Sequence, residues 1–546
     1  MRLTKISIRQ YRSIDQIDLT LPDKQPLILF GPNNAGKSNI LSAIDRIIGE
    51  RYPTYIEMLD SDYFMRDKNQ YPQCEIIATF SEPVKFDRYK GAIYQIGVRY
   101  APESENGGGP LLHDGSGNKL YLSNEERSKC QGYLIDAERN IQGAFNYGSR
   151  YSLLSKFSHQ IHKALSSEHK EELTATFIKI KELFEQTSEY SSFFGRFADA
   201  LQGSVKGFVH SLAVDFSAYD PNNFAKSLRI YAKEGEEIRG FEEFGTGEQQ
   251  ILLMAFVKAY MQTFGSENII LLIEEPEAHL HPLAQKWLKE YIVEMCKNGI
   301  QIVISTHSPD FVDPSYLSGL VRVYKEGSIT HAVQISKQVL RDFCVASGVP
   351  ENRITVDSID DFYSTKLNSD HLKGLFAETV LLVEGATEYF ALPCFMKQAG
   401  FSLSEHGIEI VACGGKETIP LLWRLFKAYK YNCYFIFDSD SKQDENTKTF
   451  NGIIDCDTWI SDPQSYVLTN RYAYFGKDFE HYFRSAIPEY NELENEASES
   501  YGITSKPGKA RSVAQHCSVI PSFITELVRE LETIEMLGQN AEPLGI

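Results

Sequence analysis

A chain of 546 residues is too long for a single hydrophobic core, and its length predicts roughly three to four domain-sized units. The 42% hydrophobic content is typical of a globular cytoplasmic protein, and the sequence holds neither an apolar run long enough to cross a bilayer nor a Cys-x-x-Cys pair that would indicate a zinc ribbon. A formal net charge of −19 argues against a broad basic surface, so any nucleic acid is expected to lie in a confined basic groove.

The first 48 residues predict the start of a nucleotide-binding domain. Strand-like runs at 5–11, 16–21 and 26–30 precede the glycine-rich segment 31–38, Gly-Pro-Asn-Asn-Ala-Gly-Lys-Ser, and a helical pattern follows at 39–48. Glycines at this spacing let backbone N–H groups face phosphates at a helix N-terminus, while the lysine pairs with the β- and γ-phosphates and the serine binds Mg²⁺. The residues that we assign to ATP and its Mg²⁺ are Gly31, Asn33, Asn34, Gly36, Lys37, Ser38 and Asn39.

A helical segment is predicted to interrupt this domain. Runs at 74–80 and 92–100 predict two further strands, and the glycine-rich stretch 107–117 predicts a loop or a hairpin tip. Between 150 and 215 apolar residues recur at helical spacing. We expect this segment to be a helical insertion that serves dimerisation.

Strand-like runs return at 227–232, 269–273 and 299–305. The second of them ends in two acids, Glu274 and Glu275. A strand that ends in two acids can hold Mg²⁺ with one carboxylate and activate the attacking water with the other. We therefore assign Glu274 to the metal and Glu275 to catalysis of ATP hydrolysis. A capped acidic loop is the alternative.

Two further segments fit an ATPase. His307 follows the strand predicted at 299–305, where an imidazole can sense the γ-phosphate, although a single histidine at a strand end is commonly structural. Residues 244–249, Phe-Gly-Thr-Gly-Glu-Gln, resemble the signature loop of ABC-type ATPases and precede a helix predicted at 250–260. Such a loop can contact a γ-phosphate held by the opposite subunit, so Gly247 is assigned to nucleotide and the chain is expected to form at least a dimer.

The C-terminal part predicts a second doubly wound domain. From 379 the pattern alternates between strand and helix, with strands at 379–383, 408–412 and 433–437 and helices to about 398 and over 418–429. The acidic stretch 489–499 is expected to be solvated, and 335–370 is expected to be a mixed connector.

Four carboxylates follow two of these strands. Glu384 and Glu388 are one helical turn apart, and Asp438 and Asp440 are alternate residues at the end of the strand at 433–437, so each pair is expected to face one volume. Hard carboxylate oxygens suit Mg²⁺ or Mn²⁺, and such ions promote attack of water on a phosphodiester. Solvent-facing acids are the alternative.

In these motifs the chain resembles the OLD (overcoming lysogenization defect) family, which joins an ABC-like ATPase to a Toprim nuclease domain. The resemblance spans nearly the whole chain and includes 274–282 (Glu-Glu-Pro-Glu-Ala-His-Leu-His-Pro), 382–385 (Leu-Val-Glu-Gly) and 437–440 (Phe-Asp-Ser-Asp). The chain is also similar to the nuclease subunit of Gabija antiviral systems and to OLD-type effectors of some retrons. The implied fold is α/β: an ABC/SMC-like P-loop ATPase domain with a helical insertion, followed by a doubly wound Toprim domain.

The resemblance implies a later acid and a lysine near the scissile phosphate. Glu480 is in the position of the acid as a metal ligand, and Lys506 resembles the catalytic lysine, with Lys509 as the alternative. Ordinary surface charges are the other interpretation of both. Topoisomerase activity is not indicated, because no segment offers a persuasive nucleophilic tyrosine.

The resulting hypothesis is an ATP-regulated, divalent-metal-dependent DNA endonuclease that acts in antiphage defence, with ATP and Mg²⁺ or Mn²⁺ as cofactors. The alternatives are an SMC-like clamp with little nuclease activity and a Toprim effector that cleaves RNA. Expected partners are double-stranded DNA, further copies of the chain, and an accessory defence subunit or retron nucleic acid, with no membrane. The predicted division is ATPase at 1–149, insertion at 150–215, ATPase and connector at 216–370, and Toprim at 371–546.

Overall fold

The computed structural model describes most of the chain. The described residues are 2–49, 51–84, 91–100, 110–123, 126–127, 131–135, 152–192, 196, 231–234, 237–240, 243–264, 269–278, 280–454, 459–460 and 462–538. Within these residues, none of the helices combines the length and the apolar character needed to span a membrane.

Eighteen strands and fifteen α-helices lie within the described residues. The strands are β1 (Leu3–Tyr11), β2 (Ile14–Thr20), β3 (Leu27–Phe30), β4 (Cys74–Val84), β5 (Ile93–Tyr100), β6 (Leu111–Asp114), β7 (Gly132–Ile135), β8 (Tyr231–Glu234), β9 (Glu237–Gly240), β10 (Ile270–Glu274), β11 (Gln301–Thr306), β12 (Leu320–Glu326), β13 (Ile329–Gln334), β14 (Thr379–Val383), β15 (Ile408–Ala412), β16 (Asn432–Asp438), β17 (Tyr466–Leu468) and β18 (Tyr472–Phe475). The helices are Lys37–Ile48, Leu153–Ala164, Ser167–Glu185, Thr246–Phe264, Pro282–Lys297, Lys337–Ala346, Ile359–Lys366, Ser369–Leu372, Ala386–Gln398, Ile419–Ala428, Gln443–Thr449, Phe479–Ala486, Tyr490–Glu499, Lys506–His516 and Ser522–Gly538.

The N-terminal half is built on two sheets that share a hydrophobic core. One sheet is antiparallel, in the order β2-β1-β4-β5-β6, and the other has the order β13-β12-β3-β11-β10-β7. The helix Lys37–Ile48 lies between them, and its Ile40 and Ile44 pack in the same cluster as Ile6 of β1 and Val303 of β11. The apolar residues of this helix recur at helical spacing and so form an apolar face, and this face packs into the core that the two sheets share.

The second of these sheets positions the nucleotide motifs. Strands β7, β10, β11 and β3 run parallel, and β12 joins β3 in the same direction. All four residues of β3 and the first four of β10 are buried, as expected for parallel strands that are covered on both faces. The carboxyl ends of β3, β10 and β11 therefore meet at one edge, and the motifs that follow them are brought together.

Part of the predicted insertion is described. It forms the helices Leu153–Ala164 and Ser167–Glu185, and Leu153 packs in a cluster with Leu253 of the helix Thr246–Phe264. The second helix carries exposed Ile178 and Leu183. Most of the remainder of 150–215, most of the strand predicted at 227–232 and part of the glycine-rich stretch at 107–117 lie outside the described residues.

The C-terminal half contains the third large sheet, in the order β15-β14-β16-β18-β17. Strands β15, β14, β16 and β18 run parallel, and β17 closes the edge antiparallel to β18. The connector predicted at 335–370 contains the helices Lys337–Ala346 and Ile359–Lys366 and the start of a third. The acidic stretch predicted as solvated forms the helix Tyr490–Glu499.

One hydrophobic cluster joins the two halves. Phe30, the last residue of β3, lies in the same cluster as Leu382 of β14 and Phe437 of β16. Its ring contacts Phe376 and Tyr429, with ring centroids 6.2 and 5.7 Å apart. The nucleotide-binding sheet and the C-terminal domain are thus packed through a continuous apolar core.

Candidate nucleotide and carboxylate sites

The glycine-rich segment 31–38, called the P-loop below, has a backbone that requires glycine at two positions. Gly31 has φ 144° and Gly36 has φ 107°, a region that other residues rarely adopt. A Cβ on Gly31 would overlap the carbonyl oxygen of Val323, and a Cβ on Gly36 would overlap the side chain of Thr330. The hairpin β12–β13 therefore packs directly against the loop.

Lys37 is buried at the centre of the P-loop. Its ammonium donates to the carbonyl oxygens of Gly31 and Pro32, both at 2.9 Å, and lies 3.4 Å from Nδ1 of His307. Burial lowers the pKa of Lys37 to about 8, and the nearby acids, of which Glu275 has the largest effect, oppose this shift. An anionic ligand at this position would stabilise the charged form.

The asparagines assigned to nucleotide have different surroundings. Asn34 has φ 60° and accepts a hydrogen bond from Lys325, while Asn33 is exposed. Asn39 accepts from Arg12 at 3.2 Å and donates to Ser13 at 2.8 Å. Asn39 thus ties the helix after the P-loop to the β1–β2 turn, which is a structural role that the motif alone did not indicate.

The acids after β10 meet the P-loop and the residue after β11. The Ser38 hydroxyl donates to the Glu274 carboxylate, which is the pairing expected of two Mg²⁺ ligands. Glu275 has φ 47°, and its Oε1 lies 3.4 Å from Nε2 of His307. Glu275 and His307 are each partly exposed, so both can reach a ligand above Lys37.

Glu277 is a functional candidate that sequence reasoning missed. Its Oε1 accepts from the Thr306 hydroxyl at 2.8 Å and from the His307 backbone N–H at 2.7 Å. Burial raises the pKa of Glu277. Its position as the third acid of 274–277 was the available signal, and its contacts show that it fixes the backbone at His307.

The helix that follows the signature segment begins at an earlier residue than the sequence pattern predicts. The helix starts at Thr246, so Gly247 lies in its first turn and not in a preceding loop. Glu248 explains the difference, because its carboxylate accepts from the Gly245 backbone N–H at 3.1 Å and caps the helix.

A second group of acids lies at the carboxyl edge of the C-terminal sheet. Glu384 follows β14, Asp438 ends the neighbouring β16, and Glu388 lies in the first turn of the helix Ala386–Gln398. The Asp438 backbone N–H donates to Glu384 at 3.1 Å, and the Gly385 N–H donates to Glu388 at 3.1 Å. Parallel pairing of β14 with β16 therefore brings acids 54 residues apart into contact.

These carboxylates raise one another's pKa. Burial, followed by repulsion from Glu384 and Glu480, raises the pKa of Glu388 to about 7. Burial and the charges of Glu388, Glu384 and Glu480 hold the pKa of Asp438 well above its ordinary value. Burial also raises the pKa of Glu384. A cation bound among these groups would relieve both the burial cost and the repulsion.

Asp440 departs from the expected arrangement. It was expected to face the same volume as Asp438, but β16 ends at Asp438 and Asp440 has φ 52°, so the two side chains do not continue one strand face. Asp438 is half-buried, whereas the Asp440 side chain is 46% exposed and pairs with Lys416 at 2.8 Å.

Glu480 and Lys506 are neighbours in space. Glu480 is buried in the first turn of the helix Phe479–Ala486, and Nζ of Lys506 lies 2.8 Å from its Oε1. The Phe479 backbone N–H donates to Asp438 at 2.9 Å, which sets Glu480 beside the other acids. The pair Glu480–Lys506 thus joins the acid group, while Lys509 lies one turn further along the helix Lys506–His516.

The acid group suits a hard divalent cation by its chemistry, because carboxylate oxygens from several elements converge where burial and repulsion disfavour bare charge. As the side chains lie, no three acids, histidines or cysteines among the described residues form a ready metal-binding set. Five acids are candidates for metal binding: Glu384, Glu388, Asp438, Asp440 and Glu480. Two of them are paired with lysines, Asp440 with Lys416 and Glu480 with Lys506. By the chemistry of its donors this set of carboxylates fits a hard divalent cation, and the two lysines lie against it.

Three charged residues near this group were not predicted. Lys416 follows β15, and Asp478 lies close enough to Asp438 to raise its pKa. His481 contacts Asp478 at 2.7 Å through Nδ1 and Lys477 at 2.7 Å through Nε2. None of them lies in a recognisable motif, so only the parallel order of β15, β14, β16 and β18 reveals them.

Three family models and two curated relatives match parts of this chain. An AAA ATPase domain model matches residues 80–312, an AAA domain model matches 1–52, and the TOPRIM domain model of overcoming lysogenization defect protein-like sequences matches 375–440. The OLD nuclease of Thermus scotoductus is 26% identical over 467 residues, which are 82% of this chain and 84% of that protein. The Old nuclease of Escherichia phage P2 is 24% identical over 477 residues, 81% of this chain and 77% of that protein.

Solved structures of SMC heads are more distant. The SMC head bound to the C-terminal winged-helix domain of ScpA has a TM-score of 0.38 and 19% identity, covering 61% of this chain and 98% of that one. The SMC head domain from Thermotoga maritima has a TM-score of 0.31 and 14% identity, with 61% and 99% covered.

The predicted α/β class, a P-loop ATPase domain followed by a Toprim domain, is confirmed. The chain thus joins an ATPase domain to a Toprim domain and is similar over about four fifths of its length to two OLD nucleases.

Proposed function

We propose that the chain is a divalent-metal-dependent DNA endonuclease whose activity is controlled by ATP. The observation that carries the proposal is the hydrogen bond from the Asp438 backbone N–H to the Glu384 carboxylate, which brings together two acids at the carboxyl ends of adjacent parallel strands. The two relatives named as OLD nucleases support the reaction class.

In this proposal Glu384, Glu388, Asp438, Asp440 and Glu480 hold Mg²⁺ or Mn²⁺. Such an ion supplies Lewis acidity and a more acidic bound water. Hydrolysis forms a bond from a water oxygen to phosphorus and breaks the bond to a sugar oxygen, which leaves as a hydroxyl. In the same proposal Lys506, which pairs with Glu480, contacts the phosphate whose charge grows during attack.

The nucleotide site is proposed as a switch shared between subunits. Gly31, Gly36, Lys37 and Ser38 bind the phosphates, with Glu274 and Ser38 on Mg²⁺. Glu275 orients the attacking water of ATP hydrolysis, and His307 beside it senses the γ-phosphate. Gly247 of a second copy completes the site, so ATP favours a homodimer.

Cleavage assays with purified protein test the nuclease. Plasmid and linear DNA and a matched RNA panel are incubated with Mg²⁺ or Mn²⁺, with and without ATP. The variants Glu384→Gln and Asp438→Asn should lose at least about 100-fold in cleavage rate while they keep ATP binding. Glu409→Gln is the matched control, because Glu409 is a partly buried acid of β15 away from the carboxyl end of the strand.

Each outcome selects one function. Metal-dependent cutting of DNA that both variants lose supports the proposal, whereas cutting of RNA alone favours the RNA-cleaving effector. Nucleic-acid binding without cleavage favours an SMC-like clamp. Undiminished cutting by both variants contradicts the assigned acids.

The antiphage role is proposed from the family resemblance. A bacterial host that expresses the chain should show a lower efficiency of plating for some phages than a host that expresses Asp438→Asn. Equal plating across a broad phage panel would count against a defence role while leaving the nuclease intact.

A further inference from the structure

We propose that Lys416 pairs with two different anions in turn. It neutralises Asp440 in the metal-free protein, and it contacts the phosphate of bound nucleic acid when Asp440 becomes a ligand of a divalent cation. This inference rests on the metal-dependent nuclease proposed above and adds a phosphate-contacting residue to it.

The position of Lys416 supports its link to the acid group. Its Nζ lies 2.8 Å from Oδ2 of Asp440, and its side chain is only 14% exposed although that of Asp440 is 46% exposed. Lys416 follows β15, the strand beside β14, and so reaches the edge where Glu384 lies. The Gly415 backbone N–H donates to the Glu384 carbonyl at 2.9 Å, which fixes the loop of Lys416 to the loop of Glu384.

The backbone before Lys416 forms a turn that brings this lysine close to Asp440. Gly414 has φ 73° and Gly415 has φ 145°, conformations that favour glycine. A Cβ on either glycine would meet no atom within 4 Å, so the two glycines serve the turn and not close packing. The turn directs Lys416 back over the sheet edge toward Asp440.

A second lysine pairs with another of these acids. Lys506 lies 2.8 Å from Glu480, as Lys416 lies 2.8 Å from Asp440. The two ammonium groups thus come from different elements, the loop after β15 and the helix Lys506–His516.

A divalent cation on Asp440 and the ammonium of Lys416 would repel each other at contact distance. The flexible four-carbon stem of lysine lets the ammonium move by several ångströms while the turn at Gly414 and Gly415 keeps it at the sheet edge. Phosphate oxygens of a nucleic acid held by the same metal are the anions that it would then meet.

The test compares metal binding and cleavage in one set of variants. Free Mn²⁺ is followed by electron paramagnetic resonance during titration of the full chain, without nucleic acid. The variant Lys416→Met removes the charge and keeps the length of the side chain, and Lys416→Arg keeps the charge. Lys442→Met is the matched control, because Lys442 is an exposed lysine near Asp440 that pairs with Glu445.

Lys416→Met should bind Mn²⁺ more tightly than the wild type, by roughly fivefold, because Asp440 loses a competing cation. The same variant should cleave DNA about 100-fold more slowly at saturating Mn²⁺, because a phosphate contact is lost. Lys416→Arg should restore the wild-type Mn²⁺ affinity and part of the cleavage, and Lys442→Met should change each much less.

Tighter metal binding together with slower cleavage supports the two roles of Lys416. A residue that only supports the fold would weaken both, and unchanged Mn²⁺ affinity would show that Lys416 does not compete for Asp440; either result overturns the inference. If the wild type neither binds Mn²⁺ nor cleaves DNA, the proposed nuclease itself fails. If the wild type does both and Glu384→Gln loses cleavage, the nuclease stands, and any failure concerns Lys416 alone.

Discussion

The guanidinium of Arg322, a residue of the nucleotide-binding sheet, donates to the carbonyl oxygen of Tyr429 in the Toprim domain at 2.9 Å. It also donates to the carbonyl of Lys430 at 2.7 Å and lies 3.6 Å from the ring centroid of Tyr431. Because Tyr429 also contacts Phe30, the residue that precedes the P-loop, the turn before β16 packs against the strand that leads into the P-loop.

Replacing Arg322 with Met should destabilise the joint between the domains. The change leaves the carbonyls of Tyr429 and Lys430 without their buried donor, at a cost on the order of 3 kcal/mol. Thermal unfolding should show a lower Tm for Arg322→Met, while Arg353→Met, a change at an exposed arginine, should leave the Tm nearly unchanged. An equal Tm for wild type and Arg322→Met would contradict a structural role of these contacts.

Substitution of Gly36 by Ala should impair the P-loop through backbone strain and through a steric overlap, and a control variant separates these two effects. Gly36 has positive φ, and a Cβ there would overlap Thr330. Gly117 also has positive φ, but its surroundings are open, so Gly117→Ala carries only the backbone strain, about 1 kcal/mol. We expect Gly36→Ala to lower the Tm further than Gly117→Ala and to weaken ATP binding, measured by calorimetry. Equal losses of stability would mean that Thr330 moves aside.

Replacement of Lys37 by Ala should weaken ATP binding without changing metal binding at the acids. ATP binding should weaken at least about tenfold, because the phosphates lose the buried ammonium held over the P-loop. Mn²⁺ binding at the acid group should be unchanged, since Lys37 does not touch it. Cleavage by Lys37→Ala should therefore no longer respond to an ATP titration. A response equal to that of the wild type would remove the regulatory part of the proposal.

The signature segment predicts an ATP-dependent dimer. Glu275→Gln should slow ATP hydrolysis by about 100-fold and so prolong the dimer that ATP favours, which light scattering after gel filtration can detect. Adding Gly247→Asp to that variant should abolish the dimer, since a carboxylate in the first turn of the helix would face the phosphates of the partner subunit. Dimers that form equally without ATP would show that Gly247 is not part of a shared nucleotide site.

A hydrogen-bonded group on the antiparallel sheet predicts a specific dependence of stability on pH. The imidazole of His113, whose Nε2 lies 3.2 Å from the carboxylate, and the hydrogen-bonded Arg99 lower the pKa of Glu75 from 4.5 to about 2. Ionised Glu75 therefore stabilises the fold above pH 4.5, and this contribution is lost as the pH falls toward 2. Solvent screening of the partly exposed group limits the effect to about 1 kcal/mol.

The comparison of Glu75→Gln with the wild type measures this effect. The difference in Tm should be largest at pH 7 and should shrink as the pH falls below 4.5. Glu57→Gln, at an exposed carboxylate, should show little difference at either pH. A difference for Glu75→Gln that stays constant down to pH 3 would exclude the lowered pKa.

Local patterns predicted the parts of the fold that local physics controls. The strands predicted at 379–383 and 408–412 have the bounds of β14 and β15, since buried parallel strands are short apolar runs. The helix Thr246–Phe264 begins before its predicted start because the pattern did not reveal the Glu248 cap. In the connector 335–370 the helices are short and their apolar positions few, so no single period was evident.

By itself the sequence determined which chemistries the chain contains. The spacing of glycine, lysine and serine in the P-loop and the acids that follow apolar strands are local patterns, and local backbone geometry gives them their meaning. The tertiary structure decided which of these groups meet. It separated Asp440 from Asp438 through a left-handed turn, paired Asp440 with Lys416, and set Phe30 against Tyr429. Such contacts depend on the order of strands in a sheet, and residues far apart in the chain carry no local signal of that order.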